Sequence, residues 1–166
     1  MIRTLRTISA AAIILAAGLG NAWAHDYKLG DLEIHHPAAR AMMPGADVAS
    51  GYMTIVNHGA AADKLLKIEA PMAKHTQLHE MKVENDVMNM NELTGGLDIP
   101  IGANIDFKKN DLHVMFMGVE KPIRNGDKFN ATLTFEKAGP IEVEFFVGDA
   151  RSGAAAEDMD HKEHKQ

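Results

Sequence analysis

Residues 78–90 read LHEMKVENDVMNM, and residues 112–118 read LHVMFMG. Both have the period of two that belongs to extended chain, in which successive side chains point to opposite faces. In the second stretch, Val114 and Phe116 share a face suited to a core, which leaves His113, Met115 and Met117 together on the opposite face. In the first, Glu84-Asn85-Asp86 is the turn signal. If Asn85-Asp86 form a two-residue hairpin loop, Val83 faces Met88 and Met81 faces Met90. His79, Met81, Met88 and Met90 then share one face. A three-residue loop would turn Met88 and Met90 to the other side.

Short strands of this kind recur along the chain. Tyr27–Ile34, Ala49–Asn57, Leu65–Ala70, Lys74–Val83, Val87–Leu93, Ile105–Phe107, Leu112–Met117, Lys128–Phe135 and Ile141–Val147 all read as extended. His35-His36-Pro37 is expected to end the first, Asn57-His58-Gly59 the second and Pro71 the third. About nine strands with turn signals every 8–12 residues, and no helical stripe, predict an all-β antiparallel sandwich or barrel.

The ends differ from this body. Residues 1–24 carry Arg3 and Arg6, an apolar run from Ile8 to Gly18, and Ala22-Trp23-Ala24. The run is shorter than the ~20 residues of a membrane span, and the pattern is that of a cleavable signal peptide. No cysteine follows it, so it does not read as a lipoprotein signal. The expected organisation is a signal peptide (1–24), one domain (25–148) and a disordered tail (149–166) with no apolar periodicity. Export places the chain in the bacterial periplasm or outside the cell, with no stable membrane insertion. The whole sequence has a net charge of −6, and removal of the two arginines leaves 15 basic against 23 acidic residues. That balance argues against nucleic acid and against anionic membrane surfaces as partners. Cysteine is absent, so no disulfide supports the fold.

A lone Met ordinarily fills a gap in a core, and a lone surface His is ordinarily just solvated. Two His-x-Met pairs, His79/Met81 and His113/Met115, on separate strands beside further Met residues of the same parity are a different matter. Imidazole with uncharged thioether sulfur suits Cu(I) far better than Zn, Mg or Ca. A blue-copper electron-transfer site needs a Cys thiolate as well, so the residues point to binding rather than redox chemistry. They leave open which of the methionines are ligands.

The pattern HEM…VMNM…GG…IPIG…LHVMFMG…KP…GD…LTFEKAG, over most of residues 27–147, resembles the periplasmic PCuAC copper chaperones. The resemblance implies a cupredoxin-like Greek-key β-sandwich that binds one Cu(I) through two His and two Met. The family motif is a His, a Met after ten intervening residues and a distant His-x-Met. It falls on His79, Met90, His113 and Met115. The interval of 22 residues from Met90 to His113 is one longer than the family's, so Met88 stays open beside Met90. A monomer without enzymatic activity is expected, and the resemblance further implies a carrier. It would deliver copper toward the CuA centre of cytochrome c oxidase subunit II, alongside Sco-type thiol proteins.

Two further groups could take Cu(II). Met159, His161 and His164 lie in an acidic tail resembling the His/Met-containing extension of some family members, although a solvated charged tail is the simpler reading. His25, once N-terminal, would offer an amine beside its imidazole, as in copper monooxygenases; with His35 or His36 it defines an alternative, a copper-dependent oxidase. A metal-free interaction module is the remaining alternative.

Overall fold

Leu112, Val114 and Phe116 are buried, with Val114 and Phe116 fully so, and the strand that carries them crosses the core as the alternation predicts. The structure, a computed structural model, describes residues 26–84 and 87–148. Its strands are β1 (Asp26–Leu29), β2 (Leu32–Arg40), β3 (Val48–Asn57), β4 (Asp63–Glu69), β5 (His75–Glu84), β6 (Val87–Glu92), β7 (Leu97–Ile99), β8 (Asn104–Asp106), β9 (Leu112–Met117), β10 (Lys128–Phe135) and β11 (Gly139–Gly148). They form one sheet in the order β6-β5-β9-β3-β2-β11-β10-β4-β7, with β1 on β2 and β8 on β3. All pairings are antiparallel except β11 with β2. The sheet curls until β4 returns against β5, leaving an open seam rather than a closed ladder. No helix occurs among the described residues.

The curl encloses one core. Phe116, Phe129 and Phe145 meet there, the last two stacked at 5.4 Å and 6°. Phe107, Ile34, Ile55, Leu133 and Val147 fill the remainder without exposure. Gly51 on β3 lies directly over this cluster. A Cβ there would stand 2.8 Å from Phe116 Cε2 and 3.0 Å from Phe145 Cε1, so the aromatic core requires glycine.

Two expectations need correction. The strands number eleven among the described residues rather than about nine, because Gly30-Asp31 divides the first segment and Leu97–Ile99 pairs with β4. His35-His36-Pro37 does not end a strand: β2 runs on to Arg40. Between His35 and Ala38 the register on β3 advances by only two residues, from Thr54 to Tyr52. The extra residue is absorbed as a β-bulge, with His36 at φ 50°. The bulge changes parity, so the buried residues are Leu32 and Ile34 before it and Pro37 and Ala39 after it. Arg40 is thereby sent to the outer face, 5.1 Å over the Tyr52 ring.

A candidate soft-metal centre on the outer face of the sheet

The ladder between β5 and β9 decides what meets on the outer face. His79 is the Cα partner of His113, Gln77 of Met115, and His75 of Met117. Beyond the end of β9 the Met81 N–H donates to the Asp111 carbonyl at 2.8 Å, so β5 stays in register past the histidines. With Val114 and Phe116 committed to the core, the outer side of the same strand must carry His113, Met115 and Met117.

The hairpin register has the parity that the sequence required. Glu84 pairs with Val87, Val83 with Met88, Met81 with Met90 and His79 with Glu92. This is the register of a two-residue connection, although Asn85 and Asp86 themselves lie outside the described residues. Met88 and Met90 therefore stand on the His79 face. Strand β6 is the edge of the sheet, and both methionines are largely exposed, Met88 at 68% and Met90 at 54%. The face thus grades from buried His113 (4% exposed) through half-buried His79, Met81 and Met115 to exposed Met90.

The two imidazoles are the centre of this arrangement. Their ring centroids are 5.5 Å apart at an interplanar angle of 65°. Two imidazoles sharing one ion at metal–nitrogen distances of ~2.0–2.1 Å would have centroids about 5–6 Å apart. Nδ1 of His79 and Nδ1 of His113 are both buried without a hydrogen-bond partner, and they are the side-chain nitrogen or oxygen atoms so left among the described residues. A buried polar atom without a partner is costly and calls for an explanation. Two of them, on adjacent rings, fit a shared ion. His113 is held below the usual imidazole range, by burial first and then by the neighbouring His79 and Arg40 charges. That direction favours the neutral ring, whose lone pair a metal requires.

The donor set is soft. Among the described residues no group of three or more His, Cys, Asp or Glu could hold a metal ion, so a carboxylate- or thiolate-type centre is not formed there. Two imidazoles flanked by thioethers suit Cu(I). His79, His113, Met115 and Met90 share the face, and Met81 and Met117 share it too. His25, Met159, His161 and His164 lie outside the described residues.

Three neighbours were not singled out from the sequence. Gln77 accepts at 2.9 Å from His79 Nε2, and Glu92 accepts at 3.0 Å from the Gln77 amide. Arg40 arrives only through the bulge in β2. Gln77 has the parity of His79, and the even hairpin sets Glu92 opposite His79, so both were legible in principle; Arg40 needed the strand order. His35 and His58 serve elsewhere. His35 meets Asp26 at 2.9 Å and Glu33 at 3.4 Å, and His58 meets Glu33 at 3.1 Å, where they tie β1, β2 and the end of β3 together.

The family model "Putative lipoprotein LpqE-like" matches residues 32–147. "Putative lipoprotein Lxx21020" of Leifsonia xyli subsp. xyli is 27% identical over 105 residues, 63% of each chain; the chain spans less than two thirds of that relative's length. Among solved structures, the copper-bound PCuAC domain from PmoF2 is 25% identical, with a TM-score of 0.63 over 75% of this chain and 98% of that one. The apo PCuAC domain from PmoF1 is also 25% identical, with a TM-score of 0.64 over 75% and 99%. CuI-DR1885 from Deinococcus radiodurans, at 23% identity, has a TM-score of 0.59 over 83% and 89% and shares the fold. The all-β architecture is therefore the cupredoxin-like one of these domains.

Proposed function

The chain belongs to the LpqE-like family, and from that premise we propose that it is a copper carrier that takes up Cu(I) on the outer face of β5, β6 and β9. The observation that carries this reading is the pair of adjacent imidazoles whose Nδ1 atoms are both buried and without partners. The donors assigned are His79, His113, Met115 and Met90. The similarity to PCuAC domains, one of them copper-bound, supports the metal. The absence of cysteine from the sequence removes the thiolate that a blue-copper site requires, so the role assigned is binding and release rather than electron transfer.

Four neutral donors hold a monovalent ion without neutralising it, and a dithiolate acceptor offers softer, charged ligands. Transfer is therefore proposed to run from this protein toward thiol-bearing acceptors. The CuA centre of cytochrome c oxidase subunit II, with Sco-type proteins, is the destination that the PCuAC resemblance supports. Lipoprotein relatives support a place in the cell envelope, and the N-terminal sequence pattern supports the periplasm. The tail residues Met159, His161 and His164 remain a proposed secondary Cu(II) group, which a Cu(II) titration of protein cut after Gly148 would test. A copper oxidase built on His25 draws no support from the described residues.

The test is an anaerobic Cu(I) titration in competition with a chromophoric chelator. The parent should take one equivalent, and His113→Ala should fail to compete. A parent that leaves all copper with the chelator, or a His79→Ala/His113→Ala double variant that still takes one equivalent, would overturn the reading.

A further inference from the structure

The two candidate ligand histidines differ in how their rings are held. His113 is fixed by burial. His79 is half-buried, and its ring has one polar contact, from Nε2 to Gln77 Oε1 at 2.9 Å. A neutral imidazole carries its proton on either nitrogen, and only the bare nitrogen can bind a metal. An amide oxygen can only accept, so this contact requires the proton on Nε2 and leaves Nδ1 bare.

An amide can also turn around, and then it would offer N–H to the ring and reverse the argument. Here a second contact prevents that. Gln77 Nε2 donates at 3.0 Å to Glu92 Oε2, and a carboxylate can only accept. Glu92 sits opposite His79 on the edge strand, so the hairpin itself delivers the carboxylate that orients the amide. The chain Glu92–Gln77–His79 therefore runs in one direction, from acceptor to donor, and ends on the buried Nδ1 that has no partner.

We propose that Gln77, oriented by Glu92, is the positioning residue that fixes the metal-binding tautomer of His79. Copper ligation is read from the preceding section, and the affinity part of this inference rests on it; the tautomer part does not. The relay also holds the ring in one orientation, as a group behind a ligand histidine does in metal sites generally. An outer residue of this kind lends affinity to the site without touching the ion.

The test uses the full chain and the variants Gln77→Leu, Glu92→Leu and Glu92→Gln, with two readouts. The first is the ¹⁵N imidazole spectrum of the copper-free protein at mildly alkaline pH. His79 of the parent should show Nε2–H with a bare Nδ1, and its Nε2 proton should be protected from exchange. That protection should vanish in Gln77→Leu and weaken in Glu92→Gln, whose amide can donate as well as accept and so no longer forces the orientation of Gln77. The second readout is Cu(I) affinity, which should fall about 10–100-fold in Gln77→Leu, with Glu92→Gln and Glu92→Leu between that variant and the parent. The proposal is overturned if the parent carries its proton on Nδ1. It is equally overturned if protection survives in Gln77→Leu, or if affinity falls there while tautomer and protection do not change. Should the parent take no Cu(I), the copper reading fails, and the spectrum alone decides the tautomer.

Discussion

Among the described residues, two places in this sheet bury polar side chains, and they treat them in opposite ways. At one end of β3, Asn57 is 2% exposed, and all of its groups are used. Its amide nitrogen faces the carbonyls of Ala61, Pro100 and Ile99 at 2.9, 3.2 and 3.3 Å, and its oxygen accepts from the Gly59 N–H at 2.9 Å. On the outer face of β9, His113 is 4% exposed, yet its Nδ1 and that of His79 have nothing to bond to. Burying a polar group costs little once it is paired and a good deal when it is not. Asn57 therefore belongs to the stability of the fold. The histidine pair costs stability in the copper-free protein, which is reasonable only if something else repays it.

The sharpest way to break this contrast is to exchange each group for an apolar one of similar size. His113→Leu should lower Cu(I) affinity by at least about a hundredfold, read by chelator competition. Its copper-free form should be as stable as the parent or more so, because the replaced Nδ1 had no partner to lose. Asn57→Leu should do the reverse, with unfolding free energy falling by about 2–3 kcal/mol in a urea titration and copper affinity unchanged. If His113→Leu proved as damaging to the fold as Asn57→Leu, the histidines would be structural and the site reading would fall.

The sequence made one half of this contrast readable. The parity of His79, Met81, Met88 and Met90 follows from an even hairpin, and the alternation in 112–117 separates core from rim, so the shared face could be drawn before any coordinates. What could not be drawn was the order of strands. Nothing local says that β5 lies beside β9 and places His79 opposite His113, because that pairing joins segments more than thirty residues apart. The bulge at His36 is hidden in the sequence for a related reason. A His-His-Pro run looks like a stop when viewed alone, and only pairing with β3 shows that the strand absorbs one residue and continues. Asn57 was read as part of a turn, since its four partners come from loops around residues 59–61 and 99–100.

A smaller effect separates the two edge methionines. Met90 stands opposite Met81, one same-face step from His79, whereas Met88 stands opposite Val83 and one step farther out. Met90→Ala should weaken Cu(I) binding about tenfold, the loss of one neutral ligand, while Met88→Ala should change it less than about twofold. A larger loss in Met88→Ala than in Met90→Ala would move the third donor to the hairpin tip. Neither change should alter stability by more than about 0.5 kcal/mol, since both side chains are mostly solvated.

The smallest expected effect tests the structural side of the contrast through pH. Asp63 begins β4 and accepts from the Lys64 and Lys137 N–H groups at 2.7 and 2.9 Å through Oδ1, and from the Ala138 N–H at 2.9 Å through Oδ2. Burial alone would raise its pKa. The backbone N–H groups of Lys137, Lys64 and Ala138, with the Lys137 charge, outweigh that and hold it below its ordinary value of 3.8. A carboxyl depressed in the folded state binds a proton more readily when unfolded, so its stabilisation is full above the unfolded value and fades as pH falls through the folded one. Asp63→Asn should therefore cost about 1 kcal/mol at neutral pH, a charge-assisted contribution discounted for partial exposure. The gap to the parent should hold down to pH 3.8 and close below it, because protonation removes from the parent what the substitution removed from the variant. Other carboxylates titrate in both proteins and cancel in the difference. A gap that stayed constant into strong acid would mean that the Asp63 charge is not what holds the β4 end to the β10–β11 turn, and that neutral hydrogen bonds alone sustain this side of the molecule.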